Sequence, residues 1–286
     1  MPGDKFSALW VSHSSMNDFL SCPRAYFLNN MYKDPATGHK IKLVTPALSL
    51  GQIVHQVLEE LSVIPADKRF DENLLDIFEK TWEEVSGKKG GFWSEKVEDS
   101  YKARGRARIE RVIKHPGPLK EKAVKINMDL PYFWLSEQEN IILCGKIDWL
   151  EYLPQTDSVH IIDFKTSKKD ESPDSLQLPI YHLLVKNCQK RDALKASYWY
   201  LERDDELTEK ALPDLEESRE KILKIARQIS LSRKLNKLSC KKGNGCSSCK
   251  PLEDIILGKG EFVGLDNYKQ DMYILPFEEK PDSQIL

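Results

Sequence analysis

Residues 160–168 read His-Ile-Ile-Asp-Phe-Lys-Thr-Ser-Lys. The apolar pair Ile161-Ile162 has the character of a buried strand, yet it runs straight into Asp163 and Lys165. Residues two apart on a strand face the same side, so this carboxylate and this ammonium share a face. Asp148 closes the preceding apolar run within Cys-Gly-Lys-Ile-Asp-Trp-Leu-Glu-Tyr, and an adjacent strand can bring it beside them. Two carboxylates held together repel unless a cation sits between them. Oxygen ligands of that kind suit Mg²⁺ or Mn²⁺. A lysine beside the ion can orient a water or offset charge building on a phosphate oxygen. That is the chemistry of metal-assisted phosphodiester hydrolysis. The plain alternative is a pair of solvated charges at a strand end, the usual state of such side chains.

The elements that would position these groups follow from periodicity. Residues 15–33 read as helical, with Ser15 as a possible cap and Pro23 as a break or restart. A helix over 46–62 places Ile53, Val54, Val57, Leu58 and Leu61 on one face, with His55 well off it and Glu59 one turn on. Further helices are expected at about 71–86 and 95–114. Residues 122–135 and 140–152 alternate and read as paired strands about the polar turn Glu137–Asn140, and 157–164 as a third strand after Pro154–Asp157. A helix over 173–188, a strand over 194–203 and a long charged helix over 213–234 complete the pattern, and the stretch after Lys259 reads as irregular. Tyr198, Trp199 and Tyr200 are better explained as a core strand than as a platform for stacking bases.

The chain has 286 residues, 40% hydrophobic and 31% charged, the composition of a soluble globular protein. No apolar run approaches bilayer length and no secretory leader is visible, so a cytoplasmic location is expected. Six cysteines in that setting point to reduced thiols or metal ligands rather than a disulfide framework. Cys240, Cys246 and Cys249 follow a C-x5-C-x2-C spacing whose glycines, Gly243 and Gly245, let the loop wrap an ion; Cys22 stands far away. Net charge is −2, but ten Lys/Arg against one acid between Arg219 and Lys250 make a local basic stripe, readable as a phosphate contact or as a solvated helix face.

Five pieces, in order, resemble the RecB-like, Cas4-like and AddB-like branch of the PD-(D/E)XK nuclease superfamily. They are SHSSMNDFLSCPRAYFL, LGQIVHQVLEEL, the pair GKID and IIDFKT, QLPIY, and the CSSC cluster, together spanning about Ser12 to Cys249. The resemblance implies an α/β restriction-endonuclease-like core, a mixed central sheet flanked by helices with an N-terminal helical region. It implies Asp148, Asp163, His55 and the main-chain carbonyl of Phe164 as metal ligands, Lys165 as the catalytic lysine, and Gln177 and Tyr181 facing the active site and the DNA backbone. It also implies that Cys22 joins Cys240, Cys246 and Cys249 around a [4Fe–4S] cluster, with Zn²⁺ or three reduced thiols as rivals. Two departures stand out: Ile147 replaces the proline of the family name, and Cys240 precedes the close cysteine pair rather than following it.

The expectation is a single nuclease domain over residues 1–258: a helical part about 15–114, a catalytic core about 122–203, and a C-terminal helix with the cysteine cluster about 213–250, followed by a tail, 259–286. The expected activity is divalent-metal-dependent DNA cleavage, by an exonuclease or DNA-end-processing enzyme, in repair, recombination or CRISPR-type defence. The alternative is a weakly catalytic subunit that grips single-stranded DNA or DNA ends within a helicase–nuclease or integration complex. No Gly-x4-Gly-Lys-Ser/Thr loop is present, so unwinding through that motif would need a separate helicase.

Overall fold

The structure, a computed structural model, describes residues 3–276. Its centre is a four-stranded sheet in the order β5 (Trp149–Leu153), β6 (Ser158–Lys165), β7 (Ala193–Tyr200), β8 (Thr208–Lys210). β5 and β6 are antiparallel, β6 and β7 parallel, and β7 and β8 antiparallel, so the sheet is mixed as expected. All of β6 but its last residue is buried, the mark of a strand covered on both faces.

The alternation along β6 divides the core. Val159 and Ile161 face a cluster shared with α1 (His13–Ser21), α6 (Gln177–Cys188) and α7 (Leu215–Lys234). Ile162 and Phe164 face a second cluster with Trp149, Trp199 and the helices α3 (Pro46–Glu60), α4 (Leu74–Trp82) and α5 (Glu95–Lys114). Tyr198, Trp199 and Tyr200 are buried among these layers and offer no stacking surface to a base. Helices therefore flank a mixed sheet on both sides, the α/β arrangement the sequence led us to expect.

Two smaller sheets surround this centre. β1 (Leu9–Val11), β4 (Ile141–Cys144) and β3 (Tyr132–Ser136) form one, in that order. β2 (Ile41–Leu43) pairs in parallel with β10 (Asp271–Ile274), which pairs with β9 (Glu261–Leu265). α2 (Pro23–Asn30) and α8 (Lys250–Ile256) complete the eight helices found among the described residues.

Several sequence expectations need correction. Residues 140–152 are two strands in different sheets, because the chain leaves the ladder at Gly145, whose N–H donates to Pro131 at 3.0 Å. Of 122–135 only the end is strand; the remainder touches the central sheet through one bridge, Ala123 to Glu151. The helix at 15–33 is two helices, restarted by Pro23 as expected, but its cap is Ser12: the Ser12 side chain accepts from Ser15 N–H while the Ser15 hydroxyl accepts from Ser12 N–H. The stretch after Lys259 carries β9 and β10 rather than irregular chain; residues 277–286 of the expected tail lie outside the described residues.

Candidate active site

The site gathers where β5 and β6 end. Trp149 aligns with Ile162, so one step further the antiparallel register sets Asp148 opposite Asp163. Asp148 lies just outside the strand, and its Oδ2 accepts the Phe164 N–H at 2.8 Å. The N–H and C=O of one strand residue point the same way. The Phe164 carbonyl therefore also faces the Asp148 side, where β5 has already ended.

α3 brings His55 from the other side of the sheet. Its Nδ1 stands 3.3 Å from Asp148 Oδ2 and 3.7 Å from Glu59 Oε1. One ligand atom each from His55, Glu59 and Asp148 lies within 4.8 Å of the others, the spacing of a metal's ligands. Burial alone would lower the His55 pKa, but the Asp148 carboxylate and the Glu59 side chain outweigh it and carry it to about 10.

Lys165, two residues along β6 from Asp163, reaches back to it, Nζ to Oδ2 2.9 Å. The same ammonium meets Glu171 Oε2 at 2.8 Å and donates to Gln177 Oε1. Burial would lower the Lys165 pKa; Asp163 and Glu171 more than restore it, so the side chain holds its proton. Gln177 opens α6 and donates from Nε2 to Asp163 Oδ1 and, at 3.1 Å, to the Tyr181 hydroxyl. That hydroxyl in turn stands 3.4 Å from Asp148 Oδ1. Burial first, then the two nearby carboxylates, push the Tyr181 pKa far up and keep it a neutral donor.

The two carboxylates differ. Burial and the neighbouring Asp148 raise the Asp163 pKa, whereas His55 overcomes the burial of Asp148 and lowers it. Asp163 Oδ2 is buried and receives no well-formed hydrogen bond, although the Lys165 ammonium is close. A carboxylate oxygen whose one close neighbour of opposite charge is an ammonium, beside a second carboxylate and an imidazole, fits a hard divalent cation.

His55, Asp148, Asp163, Phe164, Lys165, Gln177 and Tyr181 are thus brought together. Glu59 stands closer to the ligand group than its spacing alone implied. Glu171 escaped sequence reasoning altogether. It lies on the connection between β6 and α6, which has no periodicity, and it is fixed where its N–H donates to the Tyr200 hydroxyl at 3.0 Å.

The four cysteines converge elsewhere. Cys22, Cys240, Cys246 and Cys249 place their sulfurs within 4.8 Å of one another, Cys240 included. Cys22 sits at the start of α2 and Cys249 at the start of α8; both are buried, and Arg24 pairs with Glu253 beside them. Backbone N–H groups of Cys249 and Ser248 lower the Cys246 pKa, while burial raises that of Cys249. None of the six cysteines is in a disulfide. The basic stripe is less available than its count implied, since Arg219 donates to the Leu135 carbonyl and Arg227 is held by Glu139.

Fold and site define a class: an α/β protein with paired acids and a lysine at the end of a central strand. A family model described as the PD-(D/E)XK nuclease superfamily matches residues 10–251, and the chain belongs to that superfamily. Its members are nucleases that use divalent metals, so in general terms this is a metal-dependent nuclease. No curated protein matches the chain. No helix of the described residues is long and apolar enough to cross a membrane.

Proposed function

We propose that this chain is a Mg²⁺- or Mn²⁺-dependent deoxyribonuclease of the RecB-like, Cas4-like and AddB-like branch, acting as an exonuclease or a DNA-end-processing enzyme. The observation that carries the reading is the Asp148–Asp163 pair with Lys165 2.9 Å from Asp163 and His55 3.3 Å from Asp148. A degenerate, purely binding relative would be expected to have lost one of these groups. Repair, recombination or CRISPR-type defence is the proposed setting, in the cytoplasm, with single-stranded DNA or DNA ends as substrate and a helicase or adaptation protein as partner.

A divalent cation bound by His55, Asp148, Asp163 and the Phe164 carbonyl would polarise the scissile phosphate and make an attacking water more acidic. The chain's own residues do the rest. Lys165 keeps its proton and presents a fixed positive charge beside the phosphate, where charge grows in the transition state. Gln177 bridges Lys165 and Asp163 and locks both side chains in place. Tyr181, neutral and buried, donates towards Asp148 and fixes its second oxygen. Glu171, 2.8 Å away, also restrains Lys165.

The cysteine site is proposed as a metal staple joining the start of α2 to the loop before α8. The resemblance favours [4Fe–4S]. The spacing favours Zn²⁺ as a second reading. Four sulfurs about 2.3 Å from one ion stand about 3.8 Å apart, and Cys246 Sγ is 3.8 Å from Cys249 Sγ, whereas a cuboidal cluster spreads its thiolates further. Visible absorption and metal content of protein purified without oxygen separate the two. Residues 1–258 are proposed as one nuclease domain.

The deciding assay is cleavage of end-labelled single- and double-stranded DNA, linear and circular, with Mg²⁺, Mn²⁺ or EDTA. Metal-dependent loss of linear substrate alone supports an exonuclease. Absence of cleavage by metal-loaded wild type would favour a DNA-end-binding subunit instead.

A further inference from the structure

A cleft of about 390 Å³ opens on α5, on the face of the sheet away from Lys165's side chain. Arg104, Arg108, Arg111, Lys114 and His115 line it, recurring at helical spacing. Glu110 on the same helix also lines it, held by Arg106, and Glu202 and Asp205, just beyond β7, form its other wall. Its floor is joined to the catalytic strand: Arg108 donates from Nη2 to the Thr166 carbonyl at 3.0 Å, one residue past Lys165.

Arg108 is the unusual member. Its side chain is 1% exposed, a depth at which a guanidinium is costly unless fully paired. Nη1 donates to the Arg104 carbonyl at 2.6 Å and Nη2 pairs with Glu202, yet the buried Nε has no partner. Glu202 also serves Arg104 and Lys168, so it is shared among several cations, and Asp205 meets Arg111 and the His115 ring. Lys114 has no ion pair among the described residues, and four Arg/Lys side chains line the cleft against three acids.

We propose that this cleft binds a backbone phosphate of the DNA strand, beyond the phosphate that is cleaved. The partly exposed guanidinium forks of Arg104 and Arg111 suit tetrahedral oxyanions, and the buried Arg108 charge beneath them adds to the attraction. The Arg108–Thr166 bond ties the occupied cleft to the end of β6, so binding there registers the strand against the catalytic lysine. This inference rests on the nuclease reading and adds to it a second anchoring point.

The test is equilibrium binding of a fluorescent single-stranded oligodeoxynucleotide to the full chain in EDTA, across a salt series. The double variant Arg111→Ala/Lys114→Ala is expected to bind about tenfold more weakly. Its salt slope should fall by about 0.7 for each phosphate the variant no longer neutralises. Lys190→Ala, at the far end of the sheet, should bind as wild type does. Asp205→Asn removes a competing negative charge and is expected to bind more tightly, an outcome that misfolding cannot mimic. An unchanged slope in the double variant, or Asp205→Asn binding no more tightly than wild type, overturns the inference while leaving the nuclease reading intact. Failure of wild type to bind the oligonucleotide at any salt also overturns the inference, while the nuclease reading stands or falls with the cleavage assay.

Discussion

Lys165 sits between Asp163, Glu171 and Gln177, so its charge is positioned before any substrate arrives. Groups preorganised in this way typically supply about 10²–10³-fold in rate. Lys165→Ala should therefore lower single-turnover DNA cleavage by at least that factor, while leaving the unfolding midpoint within a few degrees of wild type. A variant that cleaves at the normal rate would remove Lys165 from the mechanism. His55 gives the second prediction. Its folded pKa, about 10, stands above its ordinary 6.5, so the metal-free fold holds a proton that the unfolded chain would release. The attraction to Asp148 is fully present below about 6.5 and is lost as pH rises through about 10. A metal needs the neutral ring, so Mn²⁺ must expel that proton. Mn²⁺ affinity should rise with pH across neutrality, and titration calorimetry in buffers of different ionisation enthalpy should register proton release. In His55→Gln the rise should be shallower. A wild-type affinity flat between pH 6 and 9 would count against His55 as a ligand.

At the scale of elements, legibility followed length and period. β6 and the apolar face of α3 were readable because each repeats its pattern over many residues. The acid pair was readable because it terminates such a pattern. The division of β4 from β5 was hidden, since apolar character resumes directly after Gly145-Lys146 and nothing local says that the chain has changed sheets. β1 and β2 are three residues each, too short to display alternation. Arg69 was equally invisible as a lone arginine between helices. It is 4% exposed, stacks over the Trp149 ring, and donates to the carbonyls of Leu61, Ile64, Leu119 and Glu121. It thereby clips the end of α3 to the turn that precedes the central sheet. Arg69→Ala leaves several carbonyls without donors and should destabilise the fold by about 3 kcal/mol or more. Lys at this position should rescue little, because one ammonium cannot span four separated acceptors. Urea unfolding of the three proteins measures this, and near-equal midpoints would show that water replaces the guanidinium without loss.

Across the whole molecule, the four cysteines join the two ends of the described chain. Cys22 precedes α2, Cys240 and Cys246 lie on the loop after α7, and Cys249 precedes α8. The cluster around them is small: Ala25, Leu28, Ile41, Leu252 and Ile255 supply most of its buried apolar contacts. So modest a core holds α8 and the β2–β10–β9 sheet with little margin, and thiolates without a metal would repel rather than help. A bound ion converts that repulsion into four bonds and closes a very long loop, which constrains the unfolded chain strongly. Cys22→Ser should therefore release metal, lower the thermal midpoint by several degrees, and expose the segment after Lys234 to limited proteolysis. The consequence should reach the active site. α1 ends at Cys22, and the same helix begins at His13, whose pKa is lowered first by burial and then by the nearby Lys165 charge. Loosening α1 should thus slow DNA cleavage even though no cysteine approaches the acids. Hydrogen exchange locates the effect: protection should fall in α1, α2 and α8 and persist in β6. A Cys22→Ser protein that keeps its metal content and its protection in α8 would show that three thiolates suffice and that the distant cysteine is a core residue only.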